Sequence, residues 1–139
     1  MTALTDLKWD ENGLIPAVVQ DDRTHQVLML AWMNEEALRQ TMTTGYVHFW
    51  SRSRQELWRK GATSGNVLVM SEIWYDCDGD AILVRATAHG PICHSGEVSC
   101  FYRSLSVDDL FGDAEGSRSA RGVRPAFVWP KEAGEGADS

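Results

Sequence analysis

Three observations predict an α+β fold with an antiparallel-rich β-sheet and few helices. Residues 15–20 and 27–32 are β-branched or apolar runs separated by Asp21, Asp22, Arg23 and Thr24, the pattern of a hairpin. One segment between Asn34 and Gly45 carries helix signals at both ends. Residues 67–77 and 81–88 are two more strand-like runs that meet across Asp78-Gly79, a dipeptide suited to a tight antiparallel turn. With 139 residues, 43% hydrophobic and 24% charged, the composition is that of one ordinary soluble domain. A chain of this size buries about two thirds of its unfolded surface and needs neither disulfide nor metal simply to fold.

The elements follow in order. After the first hairpin, Asn34 can cap a helix whose first turn holds Glu35 and Glu36, where negative charge favours the helix dipole. Leu38 and Met42 fall on one helical face, and Gly45 ends the helix. Residues 47–50 read as a strand, followed by the pair 67–77 and 81–88. After Leu110 the chain turns rich in Gly, Ala, Ser, Glu and Asp, too poor in apolar side chains to offset its ordering entropy. The expected organisation is one domain over residues 1–107 and a mobile tail over 108–139, with Ala126, Phe127, Val128 and Trp129 as a small docking point.

Charge excludes several functions. Twenty acidic residues against 13 basic ones give a formal net charge of −7, which argues against nucleic-acid or membrane-surface binding driven by bulk charge. The longest apolar run, residues 27–33, falls far short of the roughly 20 residues a spanning helix needs. Asp6, Asp10 and Glu11 stand where a secretory signal would be basic and apolar, so a cytoplasmic location is expected. An odd count of three cysteines in a reducing compartment favours buried thiols or metal ligands over disulfides.

The most specific local pattern is Asp76-Cys77-Asp78-Gly79-Asp80. Three carboxylates at alternate positions repel one another unless a cation offsets them, and magnesium, held by carboxylates and water or substrate oxygens, suits the trio. The bland alternative is a solvated acidic turn. An EF-hand is excluded, because its sixth and twelfth positions would hold Ala81 and Thr87.

Cys77, Cys93 and Cys100 lack paired Cys-x-x-Cys spacing, so spacing alone leaves buried thiols and a zinc site both open. Cys93 lies in a polar, turn-rich loop, and three thiolates would leave a tetrahedral zinc one open position, the mark of a catalytic site. If residues 76–80 stay extended, Cys77 points away from Asp76 and Asp78, so the thiol and the acids serve different sites, one completed by a second subunit, unless the turn bends sharply at Gly79. His94, beside Cys93, suits proton transfer better than ligation of the same ion. His25 reads as a solvated turn residue, while His48 and His89 stay undecided.

Residues 47–66 carry Arg52, Arg54, Arg59 and Lys60 against one acid, Glu56, interleaved with Ser, Thr, Gly and Trp. Forked cations, hydroxyls and backbone N–H groups grip phosphate, and indoles lie against a base, so a phosphorylated nucleotide fits; a solvated cationic face is the alternative. Ser51-Arg52-Ser53 ends one strand and Thr63-Ser64-Gly65 precedes another, which would place both at one rim.

Together these runs, with residues 13–21 and 27–37 and the Cys93-His94-Ser95-Gly96 to Ser99-Cys100-Phe101 segment, resemble phosphoribosyl-AMP cyclohydrolase, a histidine-biosynthesis family, over roughly residues 7–105. The resemblance implies hydrolysis of the N1–C6 bond of the adenine ring of phosphoribosyl-AMP, an intertwined homodimer, one zinc per subunit on Cys77, Cys93 and Cys100 shared between subunits, and one magnesium on Asp76, Asp78 and Asp80. On this reading a zinc-acidified water attacks C6, His94 carries the proton to N1, magnesium with Ser51, Arg52, Ser53, Lys60 and Ser64 neutralises and orients the two phosphates, and Gly65 joins them as a substrate-binding residue. Ala62 departs from the family's Lys-Gly-Glu-Thr-Ser-Gly run, which puts any role for that carboxylate in doubt. A zinc-stapled binding module stays open beside the enzyme, and a redox role for Cys93 and Cys100 is weaker without Cys-x-x-Cys.

Overall fold

A computed structural model describes residues 3–111. The expected docking point at 126–129 and the tail from 112 onward lie outside the described residues, and the boundary expected at 108 falls inside a short 3-10 turn, Val107–Phe111. The elements are β1 (Ile15–Asp21), β2 (Val27–Met33), α1 (Glu35–Thr44), β3 (His48–Ser51), β4 (Glu56–Arg59), β5 (Leu68–Tyr75) and β6 (Ile82–Ala88). One four-stranded sheet runs β2-β1-β6-β5, and β3 pairs with β4 as a separate hairpin. All pairs are antiparallel except β1 with β6, which run parallel from Ala17 opposite Ile82 to Asp21 opposite Ala86.

Alternation decides which face is covered. Ile15, Ala17 and Val19 of β1 are fully buried and lie beside Ile82, Val84 and Ala86 of β6, while Leu28, Met29 and Met33 of β2 join the same core. The helix adds Ala37 and Leu38 to it. Its ends are those the sequence predicts: the Asn34 side chain accepts from the Ala37 N–H at 2.8 Å, and Gly45, in the left-handed region at φ 86°, donates to the Thr41 carbonyl.

Met42 is a correction, because it is 57% exposed and Thr41 takes the buried place beside Leu38. The Thr41 hydroxyl donates to the Ala37 carbonyl and accepts from the His48 N–H, each at 2.8 Å, so β3 approaches the side of the helix one step from the expected face. This also settles His48, a buried residue whose Nδ1 lies 2.6 Å from the Tyr46 carbonyl and is therefore a structural donor.

The sequence reading contains no strand between residues 51 and 66, yet β4 lies there, running from Ser51 opposite Glu56 to His48 opposite Arg59. Only Leu57 and Trp58 are apolar in β4, too few for a pattern, and the strand is held by packing of Trp58 on Phe49 with ring centroids 5.1 Å apart. No helix among the described residues is long and apolar enough to cross a membrane.

Candidate metal and substrate site

The acidic pattern forms the connection between β5 and β6. The Asp76 N–H donates to the Ala81 carbonyl, the Gly79 N–H to the Asp76 carbonyl, and the Asp80 N–H to Asp76 Oδ1, each at 3.0 Å. These bonds end β5 at Tyr75, short of the expected Cys77, and bend the chain so that carboxylate oxygens of Asp76, Asp78 and Asp80 lie within 4.8 Å of one another. Gly79 sits beneath in the left-handed region at φ 75°, and a Cβ there would lie 2.6 Å from the Asp6 carbonyl oxygen. The N-terminal segment is thus a buttress for the turn, fastened by the Lys8 N–H to the Gly79 carbonyl at 2.7 Å and the Tyr75 hydroxyl to Asp6 at 3.4 Å.

Like charges leave their mark on the trio. The Asp80 carboxyl is held above its ordinary range by its hydrogen bond to Asp76 and by repulsion from Asp76, with desolvation and Asp78 adding to it. For Asp76 desolvation acts upward, but hydrogen bonds from the Asp80 side chain and from the backbone of Asp80, Gly79 and Ala81 outweigh it and the group falls below its ordinary value. Three carboxylates with oxygens within 4.8 Å of one another repel, and a divalent cation would offset that charge. The all-oxygen donor set fits a hard ion such as magnesium.

The thiols occupy a second loop. Buried Ile92 anchors it, the Cys93 N–H donates to the Glu97 carbonyl at 3.0 Å, and the Gly96 N–H returns to the Cys93 carbonyl at 2.9 Å, closing a tight turn that carries exposed His94. Beyond it the buried Ser99 hydroxyl donates to the Val27 carbonyl at 2.8 Å and the Cys100 N–H to the Leu28 carbonyl at 2.8 Å, pinning the chain on β2. The result is that Cys93 and Cys100 lie on one loop, near enough for each thiol to act on the other. The Ser95 hydroxyl, 3.0 Å from Cys93 Sγ, and the Ser95 N–H draw the Cys93 thiol below its ordinary value, whereas burial and then Cys93 itself push Cys100 up. Two adjacent soft donors of this kind fit zinc.

Cys77 is exposed on the acidic turn. Among the described residues the three carboxylates are the one group of three or more metal-type side chains with ligand atoms that close, so the three thiols do not converge within one chain. The separation does not rest on strand alternation, since residues 76–80 are a turn and not extended. The turn gathers the carboxylates and leaves the thiol apart.

The phosphate-type residues divide into two groups. Ser51 closes β3 and Arg52 and Ser53 lie in the following turn, where the Arg52 guanidinium stacks 4.6 Å over Trp32 beside a cavity of about 350 Å³ lined by Asn12, Leu14, Asn34, Trp50 and Gln55. Lys60, Ser64 and Gly65 follow the other end of the hairpin, where the Lys60 N–H bonds the Val47 carbonyl at 3.0 Å. The expected single rim is therefore corrected: three residue steps of β3 and β4, roughly 10 Å, stand between the groups. The Lys60 loop instead adjoins the thiol loop, for Gly90, at φ 112°, lies so near Asn66 that a Cβ would overlap the Asn66 amide oxygen. His25 is also corrected. It is half-buried at φ 68° with Nε2 3.1 Å from the Arg85 guanidinium, a contact across 60 residues that no local pattern signals.

Fold and site define a small α+β protein bearing a hard-cation type of carboxylate turn and, apart from it, a paired-thiol loop. Residues 29–102, which include all three cysteines and the acidic turn, match the family model described as phosphoribosyl-AMP cyclohydrolase. The phosphoribosyl-AMP cyclohydrolase of Archaeoglobus fulgidus is 54% identical over 105 residues, 76% of this chain and 97% of that protein. That of Bordetella parapertussis is 54% identical over 105 residues, covering 75% of this chain and 78% of the relative. The histidine biosynthesis bifunctional protein HisIE of Caldanaerobacter subterraneus subsp. tengcongensis is 57% identical over 108 residues, 78% of this chain but 53% of that protein, so the chain spans about half the length of this bifunctional relative. The chain belongs to the phosphoribosyl-AMP cyclohydrolase family.

Proposed function

We propose that this protein is the phosphoribosyl-AMP cyclohydrolase of a histidine-biosynthesis route, opening the adenine ring by adding water across the N1–C6 bond, with zinc and magnesium bound and a homodimer as the working unit. The observation that carries the reading is the content of the family-matched segment: it holds the carboxylate trio, and one loop of it carries Cys93, His94 and Cys100, with each thiol near enough to act on the other. In the balanced reaction the water oxygen bonds to C6, the C6–N1 bond breaks, and the two protons of water end on N1 and on the exocyclic nitrogen at C6, which becomes a carboxamide.

Cys93 and Cys100 would hold zinc together with Cys77 of a second copy, since within one chain Cys77 lies apart. Bound zinc supplies an acidified water at neutral pH. His94, exposed next to Cys93, takes the proton and delivers it to N1. Asp76, Asp78 and Asp80 would hold magnesium. Phosphoribosyl-AMP carries a phosphate at each end, and the two groups at opposite ends of the β3–β4 hairpin suit such a substrate: the cation and hydroxyls of Ser51, Arg52 and Ser53 at one, the hydroxyl of Ser64 with the Gly65 turn at the other.

Mixing the protein with phosphoribosyl-AMP should give the ultraviolet change of ring opening, and a zinc chelator should stop it with secondary structure retained. Absence of zinc-dependent conversion would sink the assignment, and unfolding on chelation would favour a zinc-stapled binding module. For the carboxylates, magnesium should raise the Tm of the wild type, and Asp80→Asn should abolish that rise while leaving the metal-free Tm unchanged or higher, because the substitution also removes repulsion from Asp76. A metal-free Tm well below wild type, with the magnesium response intact, would show the trio to be a purely structural turn.

A further inference from the structure

Lys60 belongs to the cationic stretch that the sequence assigns to phosphate, but its ammonium is engaged elsewhere. Lys60 Nζ donates to the Ile92 carbonyl at 2.7 Å, across 32 residues, and lies 5.9 Å from the centroid of the Trp58 ring. Ile92 is buried and immediately precedes Cys93, so the bond fixes the backbone at the point where the thiol loop leaves the core. Lys60 itself is half-buried, its backbone N–H is tied to Val47 on β3, and the loop after it is packed through Asn66 against Gly90. One side chain therefore connects the β3–β4 hairpin to the start of the thiol loop.

We infer that Lys60 is a positioning residue for the Cys93 and Cys100 pair, a strut that fixes the start of the thiol loop, and not a ligand of a substrate phosphate. The inference rests on the reading of those thiols as zinc ligands. Outer partners that orient metal ligands typically matter by about 10–100-fold in metal affinity. A phosphate ligand would act instead on substrate binding, leaving metal affinity alone.

The test compares wild type with Lys60→Met, Lys60→Gln and Lys60→Arg. Zinc affinity is read by competition with a chromogenic chelator, the order of residues 93–99 by amide hydrogen exchange, and kcat and KM at saturating zinc. Lys60→Met should weaken zinc by about 10–100-fold and speed exchange in the loop, with KM for phosphoribosyl-AMP within about three-fold of wild type. Lys60→Arg, which keeps a cationic donor, should restore most of both. Lys60→Gln carries the comparison if the methionine variant does not fold. A raised KM with zinc affinity and loop exchange unchanged would overturn the inference and return Lys60 to the phosphates. If the wild type itself takes up no zinc, the zinc reading fails, and the exchange of residues 93–99 still decides whether Lys60 ties the loop.

Discussion

Cys93→Ser is expected to lose more than about 100-fold in both zinc affinity and ring-opening rate, beyond the upper range for partners outside the ligand set. Its neighbour should behave differently: His94→Ala should keep its zinc and lose about 100-fold to 10,000-fold in turnover, the usual contribution of a positioned acid or base. The physical basis is the split geometry of adjacent residues. Cys93 Sγ lies 3.0 Å from the Ser95 hydroxyl and near enough to Cys100 to act on it, while His94 stands exposed on the tight turn closed by the Gly96 N–H. Serine is nearly isosteric but a poor zinc ligand, so the loop should keep its backbone bonds and the loss should report on ligation. Chelator titration and single-turnover rates on both variants separate the two roles. Full zinc content in Cys93→Ser would remove Cys93 from the ligand set, and turnover within a few-fold of wild type in His94→Ala would end the proton-shuttle assignment.

Gly79→Ala is expected to destabilise the fold by about 2–4 kcal/mol and to abolish the magnesium response. Two costs add here. Gly79 adopts φ 75°, which a residue with a Cβ leaves reluctantly populated, and the added carbon would meet the Asp6 carbonyl oxygen at 2.6 Å, a backbone atom that cannot swing away. Gly13 provides the control, with φ 77° and nothing within 4 Å of an added Cβ, so Gly13→Ala should cost only about 1 kcal/mol. Urea unfolding of both variants reads the difference. Equal losses would mean that the N-terminal segment does not brace the acidic turn.

Where a feature depends on neighbours in sequence, the residues announce it. Asn34 and Gly45 bracket the helix because a cap and a left-handed stop are local chemistry, and the β1–β2 and β5–β6 hairpins follow from runs of apolar residues joined by short polar turns. Chemistry-bearing types are equally visible: three carboxylates at alternate positions and a cysteine in a polar loop stand out by identity. Features set by distant neighbours escaped. Choosing Thr41 over Met42 for the core depends on the direction from which β3 approaches. Strand β4 has only Leu57 and Trp58 as apolar residues and is defined by its partner. The parallel pairing of β1 with β6 joins segments about 65 residues apart, and the Lys60 bond to Ile92 spans 32.

The sequence by itself determined the fold class, the hairpins, the helix and its ends, and the residue types able to hold a hard cation and a soft one, because each of these is set by composition and short-range spacing. The tertiary structure decided which of those residues meet. It gathered Asp76, Asp78 and Asp80, brought Cys93 and Cys100 near each other while leaving Cys77 apart, divided the phosphate-type residues by the length of a hairpin, and turned Lys60 toward the thiol loop. The physical reason is that such contacts depend on how separate strands pair and how loops pack on them, and a long-range pairing leaves no periodic mark on either segment alone.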